Sequence, residues 1–403
     1  LTLVEEPPVG DGKPPQVLKP LAVYIHFPFC RSKCPYCDFA SVAVRHIPHE
    51  AYAEALLTEL DRRCESWPEF RQGGMRASSV YFGGGTPSLW EASCLARVLE
   101  GLEKKLGFIE GIEISLEANP NAAEAGQLAA FHLAGVNRLS LGIQSFDDAL
   151  LRRLGRTHNA QEAREAAMRV RRAGFNNLSV DLLYALPEQS LEQARVDVEE
   201  ALALEPEHVS FYALTLEEEV LSQAVPMARQ RMCLPSEALS LSMRSQMGHM
   251  ALEAGLKRYE LSNYACPGKA SMHNLNYWKG GSYLGLGAGA VGAFMNTEGG
   301  LRWFNHRHWE DYAKALWGGG LPEGEREILS KEALFIERAM LGLRLAEGID
   351  LQALCEAFGK DFKKLRGLAE AWEAGGWATY ASGRLCLSEC GMDIHSTLCL
   401  QLL

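Results

Sequence analysis

Residues 21–39 read LAVYIHFPFCRSKCPYCDF. The first seven, LAVYIHF, form a strand-like apolar run, and the run leads straight into a loop bearing Cys30, Cys34 and Cys37. Three thiols fall within eight residues, and Phe39 stands where a fourth would be expected. Working outward, the same unit recurs. SSVYFGG, GIEISLEA, NRLSLGIQS, NLSVDLLYAL and HVSFYALTL are further strand candidates. Between them lie stretches such as HEAYAEALLTELDRRC and AQEAREAAMRVRRAG, rich in Ala, Leu and Glu, with apolar positions three and four apart. Six strand–helix units in series, with a sixth helix over SEALSLSMRSQMGHMALEAG, argue an α/β fold. Its parallel sheet is covered by helices, open or closed into a barrel.

In such folds ligands gather at the C-terminal ends of the strands. The polar residues of interest fall there: the cysteine loop after strand one, Gly83-Gly84-Gly85-Thr86-Pro87 after strand two, Glu117 closing strand three, Gln144 and Ser145 closing strand four, and Asp181 in strand five. Beyond position 256 the pattern breaks into a Gly-, Asn- and aromatic-rich segment of little periodicity, after which RWFNHRHWEDYAKALWGG returns to helix. From about 330, two helical stretches and a short hairpin, WATYASGRLCL, suggest a winged-helix-like module. The expected division is a loose Pro/Gly-rich tail at 1–20, a core at 21–255, a segment at 256–320 that completes it, and a C-terminal module at 321–403.

Of 403 residues, 47% are hydrophobic and 23% charged, an ordinary globular composition. The net charge of −11 gives no basic footprint for nucleic acid, and Lys363, Lys364 and Arg366 are too few to make the C-terminal module a DNA reader. No run approaches the roughly 18 apolar residues of a membrane span, and the first twenty residues lack the basic and apolar regions of a secretory signal. The cytoplasm is the default location. Eight of the eleven cysteines are scattered, and Cys386 and Cys390 have no third ligand nearby.

The compact trio admits three readings. Structural zinc wants four protein ligands, of which only three are present, with His26, His46 and His49 nearby in sequence. A Cys-x₂-Cys redox pair would use Cys34 and Cys37 and leave Cys30 idle. A [4Fe–4S] cube held by three thiolates leaves one iron open to an exogenous ligand. The missing fourth ligand then becomes the point of the site.

Cys-x₃-Cys-x₂-Cys after the first strand resembles the signature of the radical S-adenosylmethionine superfamily. Tyr24, FPFC, Tyr36 and GGGTP are similar to the oxygen-independent coproporphyrinogen III oxidase-like family within it. CPYCDF, with Phe39 in place of a further cysteine, and HNLNYW at 273–278 resemble its haem chaperone branch, the HemW subfamily. The likeness runs from about 21 through LEANP, LGRTH, SVDLLYALP and YELSNYA into the C-terminal module. It implies a partial (β/α)6 TIM-like barrel with a small C-terminal winged-helix-like helical domain.

The resemblance also implies roles. Cys30, Cys34 and Cys37 would hold a [4Fe–4S] cluster, and S-adenosylmethionine would chelate its open iron. Tyr24 and Tyr36 would pack near the adenine, and Gly84, Gly85 and Thr86 would let the chain approach the methionine amino group. Glu117, Gln144, Arg156 and Asp181 would make the remaining polar contacts. His273, Asn274, Tyr277 and Trp278 would handle haem, with His273 as iron ligand. Where the family's later glycine run usually carries a histidine, this chain has Gly289-Ala290-Val291-Gly292, and His306, His308 and His395 are read as surface or packing residues. The implied function is a haem chaperone serving apo-haemoprotein acceptors, with an electron donor for the cluster, peripheral membrane contact, and a homodimer left open. The alternative is an oxidase that decarboxylates coproporphyrinogen propionates. Phe39 and the short polar tail speak for the chaperone.

Overall fold

The structure, a computed structural model, describes residues 19–67, 75–121, 126–215 and 234–402. The expected tail lies outside these residues except for Lys19 and Pro20, which open the first strand. Six strands run parallel in chain order: β1 (Lys19–Phe27), β2 (Met75–Gly84), β3 (Phe108–Ala118), β4 (Arg138–Gln144), β5 (Leu178–Tyr184) and β6 (His208–Ala213). Helices α1 (His49–Ser66), α2 (Ala92–Leu106), α3 (Leu128–Leu133), α4 (Ala160–Arg172), α5 (Leu191–Leu202) and α6 (Glu237–Glu253) follow in the order the sequence implies. Local signals fix their starts. Asn159 with Glu162, and Ser190 with Gln193, form reciprocal capping boxes ahead of α4 and α5.

The sheet does not close. Past β6 come the short antiparallel strands β7 (Lys257–Arg258) and β8 (Asn263–Ala265). On the other side of β1, β9 (Tyr283–Leu286) pairs parallel, and β10 (Val291–Met295), β11 (Gly299–Asn305) and β12 (Glu323–Ser330) continue as an antiparallel meander. The twelve strands lie in the order β12-β11-β10-β9-β1-β2-β3-β4-β5-β6-β8-β7. The fold is a partial barrel, and β12 and β7 are its two edges.

Strand alternation makes the two faces of the barrel unlike. Val23 and Ile25, Val80 and Phe82, Leu139 and Leu141, and Val180 and Leu182 join one apolar core with α1, α2, α4 and α5. The intervening positions on the same strands carry Tyr24 and His26, Ser79 and Tyr81, Ser140 and Gly142, and Ser179 and Asp181. The concave face is therefore polar, and the chemistry is confined to it.

Three sequence expectations change. The segment after 256 is not without periodicity: it holds the helix α7 (Met272–Trp278) and the strands of the meander. In RWFNHRHWEDYAKALWGG only Trp309–Trp317, α8, is helical; its first residues belong to β11. The meander is tied to α1 by a buried ionic cluster. Arg63 donates to Glu59 at 2.8 Å, Glu323 at 2.9 Å and Asn305 at 2.8 Å, and Glu59 also accepts from Tyr312 at 2.7 Å and the Gly287 amide at 2.9 Å. Every charge there is partnered, as burial in a low dielectric requires. Glu323 sits on β12, so the large sheet runs to Ser330, past the boundary expected at 321. Beyond it α9 (Lys331–Gly342), α10 (Leu351–Phe358) and α11 (Phe362–Ala374) pack with a three-stranded sheet around a separate core that includes Leu343, Trp372 and Leu387. Among the described residues no helix is long and apolar enough to cross a membrane.

Candidate functional site

The cysteine loop leaves β1 at the rim of the barrel and folds over a cavity of about 480 Å³. Cys30, Cys34 and Cys37 all line it as free thiols, Cys30 buried and the other two half-buried. The turn closes through the Cys37 amide, which donates to the Cys34 carbonyl at 3.0 Å. Burial raises the Cys30 and Cys37 thiols; Cys34 raises both further, and Cys37 also raises Cys30. Neutral thiols are unfavourable ligands, so a bound cation would supply the charge that makes them thiolates.

A chain of hydrogen bonds spans the loop. Arg156 donates to Cys34 Sγ at 3.9 Å and, through its other terminal nitrogen, to Asn119 and to the Gly142 carbonyl, both at 2.6 Å. Asn119 donates to Thr86 at 3.0 Å, and Thr86 donates to Cys30 Sγ at 3.6 Å. Gly85 is held where a Cβ would stand 2.7 Å from the Phe29 carbonyl and 3.0 Å from Cys30 Sγ. Gly84 has φ +110°, and a Cβ there would strike the His26 ring at 2.5 Å. Its amide donates to Glu117 at 3.1 Å, and Tyr81 donates to the other carboxylate oxygen at 2.8 Å. Burial, with Asp181 adding repulsion, pushes Glu117 up to about 7. Asp181, also raised by burial, accepts from Ser140 at 2.8 Å and Ser179 at 3.2 Å. A bulge between Gly142 and Gln144 and a positive φ of 74° at Gln144 sit at the rim, and Gln144 lines the cavity.

Tyr36, Gly84, Gly85, Thr86, Glu117, Gln144, Arg156 and Asp181 thus converge with the thiols on one cavity. Tyr24 does not. It donates to His26 Nδ1 at 2.9 Å and lines a second cavity behind the loop. HNLNYW is dispersed, because residues on a helix one position apart diverge by about 100°. Asn274 reaches the first cavity and Tyr277 the second. Trp278 lies under the Arg344 guanidinium, 4.3 Å from the ring centre. His273 is 1% exposed and lines neither cavity. Its Nδ1 is bonded to Ser79 at 3.0 Å and its Nε2 to Tyr277 at 3.1 Å, and burial lowers its pKa to about 3. With both nitrogens engaged inside the wall, it is not placed to ligate iron, and its expected role is corrected accordingly.

A model of the radical SAM superfamily matches residues 24–201, and one of the HemN C-terminal domain matches 329–394. The Escherichia coli protein named "Heme chaperone HemW" is 38% identical over 84% of this chain and 88% of its own length. The Bacillus subtilis protein of the same name is 32% identical over 85% and 88%. The chain belongs to the HemN-like family of radical SAM proteins, alongside HemW. The cattle "Radical S-adenosyl methionine domain-containing protein 1, mitochondrial" is 34% identical over 91% of the chain and 88% of its own length. In fold, the chain matches coproporphyrinogen III oxidase, HemN, from Escherichia coli, with a TM-score of 0.80 at 20% identity, over 96% of this chain and 90% of that one.

Family membership implies a [4Fe–4S] cluster and S-adenosylmethionine, and the residues fit both. Among the described residues the one trio of ligand atoms mutually within 4.8 Å is Glu50, Glu91 and Cys94. The loop thiols therefore stand wider apart than one zinc ion, with Zn–S near 2.3 Å, would draw them. Arg156 Nε is buried without a partner beside the cavity, the kind of donor that a carboxylate or ribose oxygen satisfies. Held by Cys30, Cys34 and Cys37, the cluster would supply reducing chemistry to S-adenosylmethionine; the protein's own part is to hold, orient and enclose.

Sequence reading passed over Asn119, Tyr81, Arg138 and His208, all of which line the cavity. Asn119 stands in LEANP two residues after Glu117. The other three lie on the polar face of their strands: Tyr81 faces the same way as Gly83, Arg138 as Ser140, and His208 as Ser210. Period-two polar alternation within each strand was the signal that could have found them.

Proposed function

We propose that the protein is a haem chaperone of the radical SAM family, which binds haem and passes it to apo-haemoproteins. The observation that carries this is 32–39% identity, over 70% or more of the chain, to six proteins named "Heme chaperone HemW". Within it, Cys30, Cys34 and Cys37 hold the cluster. Gly84, Gly85, Thr86, Glu117, Gln144, Arg156 and Asp181, with Asn119, hold S-adenosylmethionine, and Tyr36 closes over it. The working division is a core from 21 to 330 and a C-terminal module beyond. The cytoplasm is the proposed location, with membrane contact peripheral, and an electron donor is required.

Phe39 also favours this reading. It is 60% exposed at a lip shared by both cavities, where an apolar ring can meet a porphyrin edge and cannot ligate metal. The experiment is a transfer assay. Anaerobically reconstituted protein loaded with haem should reconstitute an apo-haemoprotein and form no protoporphyrinogen from coproporphyrinogen III with S-adenosylmethionine and reductant. Repeated turnover of coproporphyrinogen would replace the chaperone with the oxidase.

A further inference from the structure

A second cavity, of about 700 Å³, opens behind the cysteine loop between β1 and the antiparallel meander. Its volume lies in the range of sites that enclose one small organic ligand. Asp38 and Phe39 line both cavities, so the two are back to back. Tyr24, Tyr277, Tyr283 and Phe304 present aromatic surface, and Val291 faces in beside them without any ligand atom.

Three histidines come near, and their hydrogen bonds separate them. His273 is sealed in the wall, as described. His26 lines the cavity, yet its Nε2 donates to the Ala40 carbonyl and its Nδ1 accepts from Tyr24, each at 2.9 Å. His306 lines the cavity, is half-buried, and among the described residues its ring makes no hydrogen bond. Its backbone is fixed: the amide donates to the Pro322 carbonyl and the carbonyl accepts from the Gly289 amide, both at 2.9 Å. Gly324 leaves the ring room, since a Cβ there would come within 3.2 Å of Nδ1. The neighbouring Arg307, the one guanidinium of the lining, has no carboxylate in ion-pair range among the described residues and only a 3.5 Å bond to the Asp38 carbonyl.

We propose that this second cavity is the haem-binding site. The ring packs on the tyrosine wall, the imidazole of His306 ligates the iron, and Arg307 takes a propionate. The inference rests on the haem-chaperone reading and adds the place and the ligands. A free imidazole is an ordinary axial ligand, aromatic faces suit a flat macrocycle, and a guanidinium suits a carboxylate. The first cavity also has aromatic lining, from Tyr36, Tyr81 and Tyr212, but its histidine, His208, has both ring nitrogens engaged, by Ser179 at 2.8 Å and Tyr259 at 2.9 Å.

Cluster-loaded protein is titrated with ferric haem, haem dimethyl ester and iron-free protoporphyrin IX while the Soret band is followed. The wild type should give a saturable shift with haem. His306→Ala should lose that shift and weaken haem binding about tenfold or more, with protoporphyrin binding unchanged, because only the iron bond is removed. Arg307→Ala should weaken haem several-fold, about threefold or more, and leave the dimethyl ester unaffected. No haem binding by wild type overturns the chaperone reading and this site with it. A wild-type Soret band and affinity in His306→Ala overturn the site alone and leave the chaperone reading standing. So does a His273→Ala protein, folded by circular dichroism, that loses the band while His306→Ala keeps it.

Discussion

The two cavities are built on opposite principles. The first belongs to the parallel half of the sheet, and most of its polar groups are already partnered: Glu117 by Tyr81 and Gly84, Asp181 by serines, and Arg156 by Asn119 and Gly142 with its Nε kept free. The second belongs to the antiparallel end, and it keeps aromatic walls and an imidazole that among the described residues has no partner. A site whose dipoles are fixed beforehand suits a charged cofactor held in one pose. A site with aromatic walls and an unspent iron ligand suits a cargo that has to leave again. The largest test of this contrast is at the thiols. Replacing Cys30, Cys34 or Cys37 with alanine should abolish the four irons per chain measured in reconstituted protein, about four being the content of one cube. Cys94→Ala should retain them, because that thiol lies in α2 and bonds Glu50 instead.

The antiparallel end depends on its ionic cluster. Arg63→Ala would leave Glu59 buried and uncompensated and should cost about 3–5 kcal/mol in chemical denaturation. If the halves are as distinct as their walls suggest, the surviving folded protein should keep its cluster iron and lose haem. Equal loss of both would break the comparison.

Glu117 gives a pH signature specific to the first cavity. Its pKa rises from about 4.5 to about 7 in the folded cofactor-free protein, so between those values the native state binds more protons than the unfolded chain. Stability therefore falls as pH rises through that window, by about 2 kcal/mol once cavity water is allowed for. Thermal melts of the cofactor-free protein should show this slope, and Glu117→Gln should flatten it. The slope should not vanish, because Asp197, also pushed up to about 7 by burial, titrates over the same range. The smallest effect is at Asn119, which joins Arg156 to Thr86. Asn119→Ala should weaken S-adenosylmethionine binding about tenfold by calorimetry, roughly 1.4 kcal/mol, with iron content kept.

Much of this was legible in the sequence because it depended on local order. Six strand–helix units gave the parallel half, and Cys-x₃-Cys-x₂-Cys placed three thiols on one short loop. The C-terminal ends of parallel strands share one rim, so Gly84, Glu117 and Gln144 could be grouped without coordinates, while Arg156 came only with the family resemblance. Side chains on the concave face were partly legible, since alternation sets them, yet Arg138 and His208 were missed because they lie early on their strands rather than at the rim.

What the chain alone could not decide is which groups are already occupied. HNLNYW reads as a ligand motif, but a helix turns its members apart, and Ser79, from a strand nearly two hundred residues earlier, takes one nitrogen of His273. His306 reads as a surface or packing residue until β11 pairs with β10, and Glu323, on β12, meets Arg63. Sequence order determined the strands, the thiol loop and the faces, because those follow from spacing along one chain. Whether a given imidazole is free or spent depends on partners from distant strands, and only the tertiary packing of the sheet supplies them.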